Sequence, residues 1–366
     1  MQKHAGGFEK RTSKMERTSV NRKEKLKSKF LPLLLILFCG VALGVGIRHY
    51  KDSRPPVVAW EVYFNEVDAG DSHDSLENRL VEKLITAASR VDAALYHLDS
   101  TPIAEGLIKA YRRGVQVRIV TETDNIDEEA IARLQEVGIP VADDGDPDSY
   151  MHHKFIVIDE RYVWTGSYNT TYNGAYRNKN NVIFIDSVPL AYNFTQEFRE
   201  LFRQMRAEKS SGASVVHPKV TLSDGTQIFT YFSPDNDIIS SLLREIGSAK
   251  KSIHFMAFSF TQDDLGRAMR NRFESGIDVR GVFEEWQISR YSEFKPMKAA
   301  GMSVIQDRNT GTMHHKVIVI DEETVITGSY NFSKNAEERN SENLLIIKGN
   351  PDIAQAYLAE FNRVAR

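Results

Sequence analysis

The chain has 366 residues, 41% apolar and 27% charged, with a net charge of -3. These values exclude a disordered or collagen-like chain and allow one large or two medium domains with real cores. The single cysteine, Cys39, excludes a disulfide framework and a cysteine-rich zinc site. The near-neutral total conceals an asymmetry. Residues 1–29 carry ten Lys/Arg against three Asp/Glu, which leaves the rest of the chain at -10.

Residues 30–47, FLPLLLILFCGVALGVGI, are uncharged and follow the run RKEKLKSK. Eighteen residues of helix span about 27 Å, close to the hydrocarbon thickness of a bilayer. This pattern predicts a basic cytoplasmic tail over 1–29 and a transmembrane signal-anchor over 30–47. The positive flank stays inside and sends the body across the membrane, to the periplasm or the exterior. Signal cleavage near Ala42-Leu43-Gly44 is the alternative, and it gives a secreted body. A buried helix of a soluble domain is disfavoured because the run has no polar face.

The body is one unit written twice. Arg113 to Arg118 reads RGVQVR and leads to MHHKFIVIDERYVWTGSYN at 151–169. Ser275 to Arg280 reads SGIDVR and leads to MHHKVIVIDEETVITGSYN at 313–331. The two copies keep one register, so lobe 1 is expected over 57–206, a linker over 207–218 and lobe 2 over 219–366. Within lobe 1, helical patterns at 76–90, 102–113 and 189–206 alternate with strand patterns at 115–121, 155–158 and 182–185. Lobe 2 repeats this order and ends in a helix at 351–365. The expected fold is α/β, with two similar lobes, each a mixed sheet flanked by helices, and a site between them.

Each lobe carries H-x-K-x(4)-D followed by G-S-x-N: His152, Lys154, Asp159, Ser167 and Asn169, then His314, Lys316, Asp321, Ser329 and Asn331. Along a strand, residues two apart project from one face, so each histidine and lysine stand side by side. An imidazole beside an ammonium suits an anionic oxygen centre. The glycine turn then brings up a hydroxyl and an amide. Two such faces around one phosphate supply a nucleophile, a proton donor and charge stabilisation with no metal or other cofactor. Both motifs lie in one chain, so a monomer can build the site without a protein partner.

These paired motifs resemble those of the phospholipase D superfamily, and the likeness covers residues 57–366. It implies a two-step phosphodiester reaction. One histidine forms a phosphohistidine, while the other protonates the leaving alcohol and then activates water. By the same resemblance Lys154, Lys316, Asn169 and Asn331 hold the non-bridging oxygens and Ser167 and Ser329 assist. Asp159 and Asp321 belong to the motif, with a role more in bracing their lobes than in touching substrate. Glu342 matches the family's acidic residue behind the catalytic histidine, and its lobe 1 counterpart is the neutral Asn180. On that reading His314 is the better-supported imidazole, with His152 as nucleophile and His314 as acid/base.

The other histidines, His49, His73, His97, His217 and His254, read as structural. His153 and His315 alternate into the core. Trp286, Tyr291 and Phe294 read as ordinary packing, with the mouth of the site as the alternative. The motifs alone do not separate a phospholipid from a nucleic acid. A membrane anchor and an acidic body favour phospholipid hydrolysis to phosphatidate and headgroup alcohol. An exported endonuclease, a phosphatidyltransferase and an inactive lipid-binding module are the alternatives.

Overall fold

The computed structural model describes residues 59–65, 67, 74–146, 148–204, 215–308 and 310–366. The expected tail (1–29), the transmembrane anchor (30–47) and most of the linker fall outside the described residues. Among those described, no helix is long and apolar enough to cross a membrane.

Lobe 1 is built on a seven-stranded sheet and lobe 2 on an eight-stranded one. The first contains β1 (Trp60–Phe64), β2 (Arg90–Leu95), β3 (Gln116–Thr121), β4 (Val141–Asp143), β5 (Lys154–Ile158) and β6 (Tyr162–Gly166). A two-residue strand, β7 (Asn178–Lys179), stands outside it, and β8 (Asn181–Asp186) completes it in the order β1-β8-β6-β5-β2-β3-β4. Strands β2, β3 and β4 are parallel and the other pairings antiparallel.

Lobe 2 repeats this order. It comprises β9 (Lys219–Thr221), β10 (Gln227–Ser233), β11 (Ser252–Ala257), β12 (Asp278–Glu284), β13 (Ser303–Asp307), β14 (Thr312–Met313), β15 (Lys316–Ile320), β16 (Thr324–Gly328) and β17 (Glu342–Lys348). Its extra edge strand is β9, and β14 leaves the sheet to pair with β7 of lobe 1.

Local chemistry accounts for the elements. The helix Leu76–Thr86 starts at Ser75, whose side chain accepts from the Asn78 N–H, and buries Leu76, Leu80 and Leu84 on one face. It stops four residues short of the expected 90 because Ala87 is extended and β2 begins at Arg90. Ser100, Asp237 and Asn350 cap later helices in the same way. In β5, Phe155 and Val157 face one side and Ile156 and Ile158 the other, so the strand is buried on both faces.

Three cores result. One lies outside each sheet, under the helices of its own lobe. The third joins the inner faces of both sheets through the long helices Val188–Gln204 and Pro351–Val364. The first of these helices also packs on β10 and the second on β1, so the lobes share a core rather than merely touching.

Candidate active site

β5 and β15 start at equivalent points in the two lobes, and each is preceded by its motif histidine. His152 and His314 thereby meet at the seam, with Lys154 and Lys316 two residues further along. Each lysine Nζ donates to the carbonyl of its own histidine, at 2.8 Å for Lys154 and 2.9 Å for Lys316. Each also lies over a ring, 4.9 Å from the Tyr96 centroid and 4.5 Å from that of Phe258. The same two rings stand edge-on to the histidines, at 4.8 Å for Tyr96–His152 and 4.6 Å for Phe258–His314.

Each histidine is held by the lobe that does not carry it. The His152 N–H donates to Ser341 O and the His314 N–H to Lys179 O, both at 3.0 Å. The imidazoles follow the same exchange. His152 Nδ1 lies 2.8 Å from both carboxylate oxygens of Glu342, whereas His314 Nδ1 donates to Ser167 O at 2.9 Å and Asn180 Oδ1 at 3.0 Å. This corrects the sequence expectation. Glu342 supports His152 across the seam and not His314 of its own lobe, because the two-fold arrangement swaps the segments that back the histidines. In both cases Nδ1 is committed, which leaves Nε2 as the reacting nitrogen.

The electrostatics are those of a site short of negative charge. Burial, together with Lys154 and Lys316, holds His152 well below the usual imidazole range, and burial with both lysines does the same to His314. Burial lowers Lys154 to about 7, against the attraction of Glu342, and burial and Lys154 push Lys316 well down. Glu342 is raised to about 7, chiefly by burial. Two imidazoles and two lysine amines thus surround one carboxylate, and an incoming phosphodiester anion would supply the counter-charge that favours their protonated forms.

Asp159 and Asp321, grouped with the catalytic motif but read as braces, lie away from the chemistry. Each sits seven residues beyond its histidine along an extended strand, roughly 20 Å away. Each occupies a left-handed turn position, φ 55° in both, followed by Glu160 or Glu322 with φ 53° or 59°. Asp159 accepts from the N–H groups of Ala88, Ser89 and Arg90, and Asp321 from those of Lys250, Lys251 and Ser252. Burial opposes ionisation, yet these backbone donors hold both carboxyls below the usual range. Each clamps the start of a central strand.

The serines, expected on the phosphate, are fully buried behind the histidines. Ser167 Oγ donates to Asn180 Oδ1 at 2.9 Å and accepts from the Asn181 N–H at 3.1 Å. Ser329 bonds the Glu342 carboxylate and the Asn343 N–H. They orient the groups that orient the imidazoles. The preceding glycines are required by close approach, since a Cβ on Gly166 would lie 2.2 Å from Asn181 O and one on Gly328 2.2 Å from Asn343 O. Asn169 and Asn331 each keep a buried side-chain Oδ1 with no hydrogen-bond partner among the described residues.

Several residues escaped sequence reasoning. Glu122 and Glu284 accept the N–H of Met151 at 2.8 Å and of Met313 at 2.6 Å, fixing the residue before each histidine. Burial and the neighbouring Asp144 push Glu122 up to about 7. On the reverse face His153 pairs with Glu197 at 3.0 Å and His315 with Glu360 at 2.8 Å. Asn343 and Asn181 reach across the seam to these two buried imidazoles. Tyr96 and Phe258 occupy equivalent positions in the two copies, but single aromatics give no motif. His97 pairs with Glu128 at 2.9 Å and His254 lies 3.7 Å from Asp278, both away from this cluster.

Comparison with known proteins agrees with this architecture. Residues 80–202 and 242–365 match the family model described as cardiolipin synthase, PLD-like domain. The chain is 29% identical over 171 residues to phospholipase D of Rickettsia conorii, covering 45% of this chain and 85% of that protein. It is 33% identical over 138 residues to mitochondrial cardiolipin hydrolase of Homo sapiens, covering 37% of this chain and 54% of that protein. The solved structure of phosphatidylserine synthase from Haemophilus influenzae Rd KW20 superposes with a TM-score of 0.62 over 83% of this chain and 86% of its own. At 14% identity that is a likeness of fold alone. Two matched stretches spanning most of both lobes, around one shared cluster of paired motifs, place the chain in the phospholipase D-like family, whose domain it carries twice.

Proposed function

We propose that this phospholipase D-like phosphodiesterase hydrolyses a membrane phospholipid to phosphatidate and the free headgroup alcohol, through a phosphohistidine on His152. The observation that carries the assignment of roles is the Glu342 carboxylate, 2.8 Å from His152 Nδ1. It fixes the tautomer with the Nε2 lone pair free, and it compensates the positive charge that a phosphorylated imidazole acquires. His314, held by two neutral acceptors, has no such charge to lean on and suits the transient work of proton transfer.

In the first step His152 Nε2 bonds to phosphorus and the bond from phosphorus to the headgroup oxygen breaks. His314 Nε2, protonated in the presence of the substrate anion, gives its proton to the departing alkoxide. Lys154 and Lys316 neutralise the non-bridging oxygens, and the side-chain amides of Asn169 and Asn331 add neutral contacts. In the second step water attacks phosphorus and passes a proton to His314, and the bond to His152 breaks to release phosphatidate. Neither step draws on a redox partner.

The lipid reading is supported by the relatives named phospholipase D and cardiolipin hydrolase. It is also supported by the charge of -10 carried outside residues 1–29, since a nucleic-acid strand is attracted by positive charge. On the same reading the apolar run 30–47 anchors the enzyme with its body outside the cytoplasm, close to its substrate. The test offers phospholipid vesicles and single-stranded DNA to the purified full-length chain in parallel, in EDTA, with His152→Ala as the blank. Headgroup release that disappears in the variant is expected. DNA cleavage with intact lipid would overturn the proposal.

A further inference from the structure

The two histidines are flanked by a matched pair of aromatic steps. On lobe 1, His152 contacts the Tyr96 ring at 4.8 Å, and Tyr96 contacts Tyr150 edge-on at 5.9 Å. On lobe 2, His314 contacts Phe258 at 4.6 Å, and Phe258 contacts Trp286 edge-on at 5.3 Å. The outermost ring is exposed in both cases, 45% for Tyr150 and 64% for Trp286. The inner rings are repeat-equivalent, but the outer ones are not. The lobe 1 counterpart of Trp286 is Asp124, and that of Tyr150 in lobe 2 is Thr312. Two unrelated chain positions thus supply the same thing, an exposed ring two contacts away from a catalytic imidazole.

Packing gives no reason for these rings to be exposed. Trp and Tyr combine an apolar body with a polar tip and settle at the headgroup layer of a bilayer. Exposed rings also stack on bases, but a strand of nucleic acid needs a positive track beside them. The approach to Tyr150 carries Asp144, Asp146 and Asp148, and Asp124 lies close to Tyr96. On the other side Arg308 is paired with Glu285, and Arg290 lies over the Tyr291 ring. Arg339, next to the Asn340 and Ser341 that bond the Tyr150 backbone, and its repeat counterpart Arg177 are exposed cations on the same rim. Both signs are therefore present, which suits a zwitterionic headgroup layer better than a polyanion or a strongly anionic bilayer.

We propose that Tyr150 and Trp286 are the interfacial contacts of this enzyme, seating the mouth of its site on a zwitterionic phospholipid surface. The inference rests on the reading of the chain as a phospholipid hydrolase and adds the kind of surface it works on.

The chain provides its own reporter. Its three tryptophans are Trp60, Trp164 and Trp286, none of them in residues 1–58. Trp164 is buried and Trp60 half-buried. Full-length protein would be reconstituted with vesicles of phosphatidylcholine brominated on its acyl chains, and tryptophan emission followed. Brominated lipid is expected to quench the native chain, and the quenching to be lost in Trp286→Phe. Tyr150→Ala and Trp286→Ala are each expected to raise the lipid surface concentration for half-maximal headgroup release, by about fivefold. Absent quenching, or quenching undiminished in Trp286→Phe, would overturn the inference. If headgroup release persisted in that case, the hydrolase reading would stand without it. Quenching by a single-stranded oligonucleotide, with no response to brominated lipid, would overturn both.

Discussion

Replacing Glu342 by Gln removes a charge while keeping the shape and a hydrogen-bond acceptor. Both carboxylate oxygens lie 2.8 Å from His152 Nδ1, so carboxylate and imidazolium charge centres are separated by about 4 Å. At an effective dielectric constant of about 20 that attraction is worth about 4 kcal/mol. The amide retains a neutral hydrogen bond worth about 1 kcal/mol, which leaves a net loss of about 3 kcal/mol as positive charge develops on the ring. Glu342→Gln should therefore lower kcat about 10²-fold. The matched control is Asn180→Ala, which takes one neutral acceptor from His314 and leaves Ser167 O in place at 2.9 Å. Its cost should stay near 1 kcal/mol, less than about tenfold in rate. Headgroup release from phospholipid vesicles measures both. If Glu342→Gln stays close to the native rate, or Asn180→Ala is the more damaging, Glu342 does not support the nucleophile and the roles reverse.

The depressed Lys154 gives a second prediction. A bound phosphate anion supplies the counter-charge that burial denies, which raises this group from about 7. Binding of inorganic phosphate slightly above pH 7 should take up protons, and affinity should weaken as pH rises further. Calorimetry in buffers of different ionisation enthalpy reads this directly, and identical heats in all buffers would contradict it. Asp159→Asn and Asp321→Asn should cost stability rather than chemistry, about 1–2 kcal/mol each after allowance for solvent exposure. Because the folded-state values are depressed, that stability is present above the ordinary aspartate value and is lost as pH falls through the folded value. Denaturant titration at pH 7 and in acid tests the sign. Gly166→Ala would force a Cβ against Asn181 O, at a cost of about 2 kcal/mol or more, and would shift the Asn180 support of His314. Its thermal midpoint and its activity should fall together.

Much of this molecule was readable from its residues. The exact spacing between the two copies of HHK-x(4)-D announced a duplicated fold, and alternation placed His153 and His315 in the core. The cross-lobe geometry was not readable. Glu342 and His314 share a lobe, and nothing in a linear pattern says that the turn leading into Glu342 runs up to His152 instead. The exchange shows in the reciprocal bonds of Ser341 to His152 and of Lys179 to His314, and in the imidazole contacts that accompany them. The same gap explains the serines. A motif names residues that must coexist but does not separate those that touch substrate from those that hold the holders. Glu122, Glu284, Glu197 and Glu360 act through backbone N–H groups or buried imidazoles far away in sequence, so they left no local signal.

The role of His152 as nucleophile is tested by capturing the covalent intermediate and locating it. A phosphodiester with a p-nitrophenolate leaving group needs no acid, so a variant lacking the acid/base should still be phosphorylated but discharge slowly. Rapid quenching at alkaline pH followed by peptide mass spectrometry would be applied to His314→Ala and His152→Ala. An adduct on His152 in His314→Ala, and none in His152→Ala, is the expected result. An adduct on His314 in His152→Ala, with none in the other variant, would contradict it.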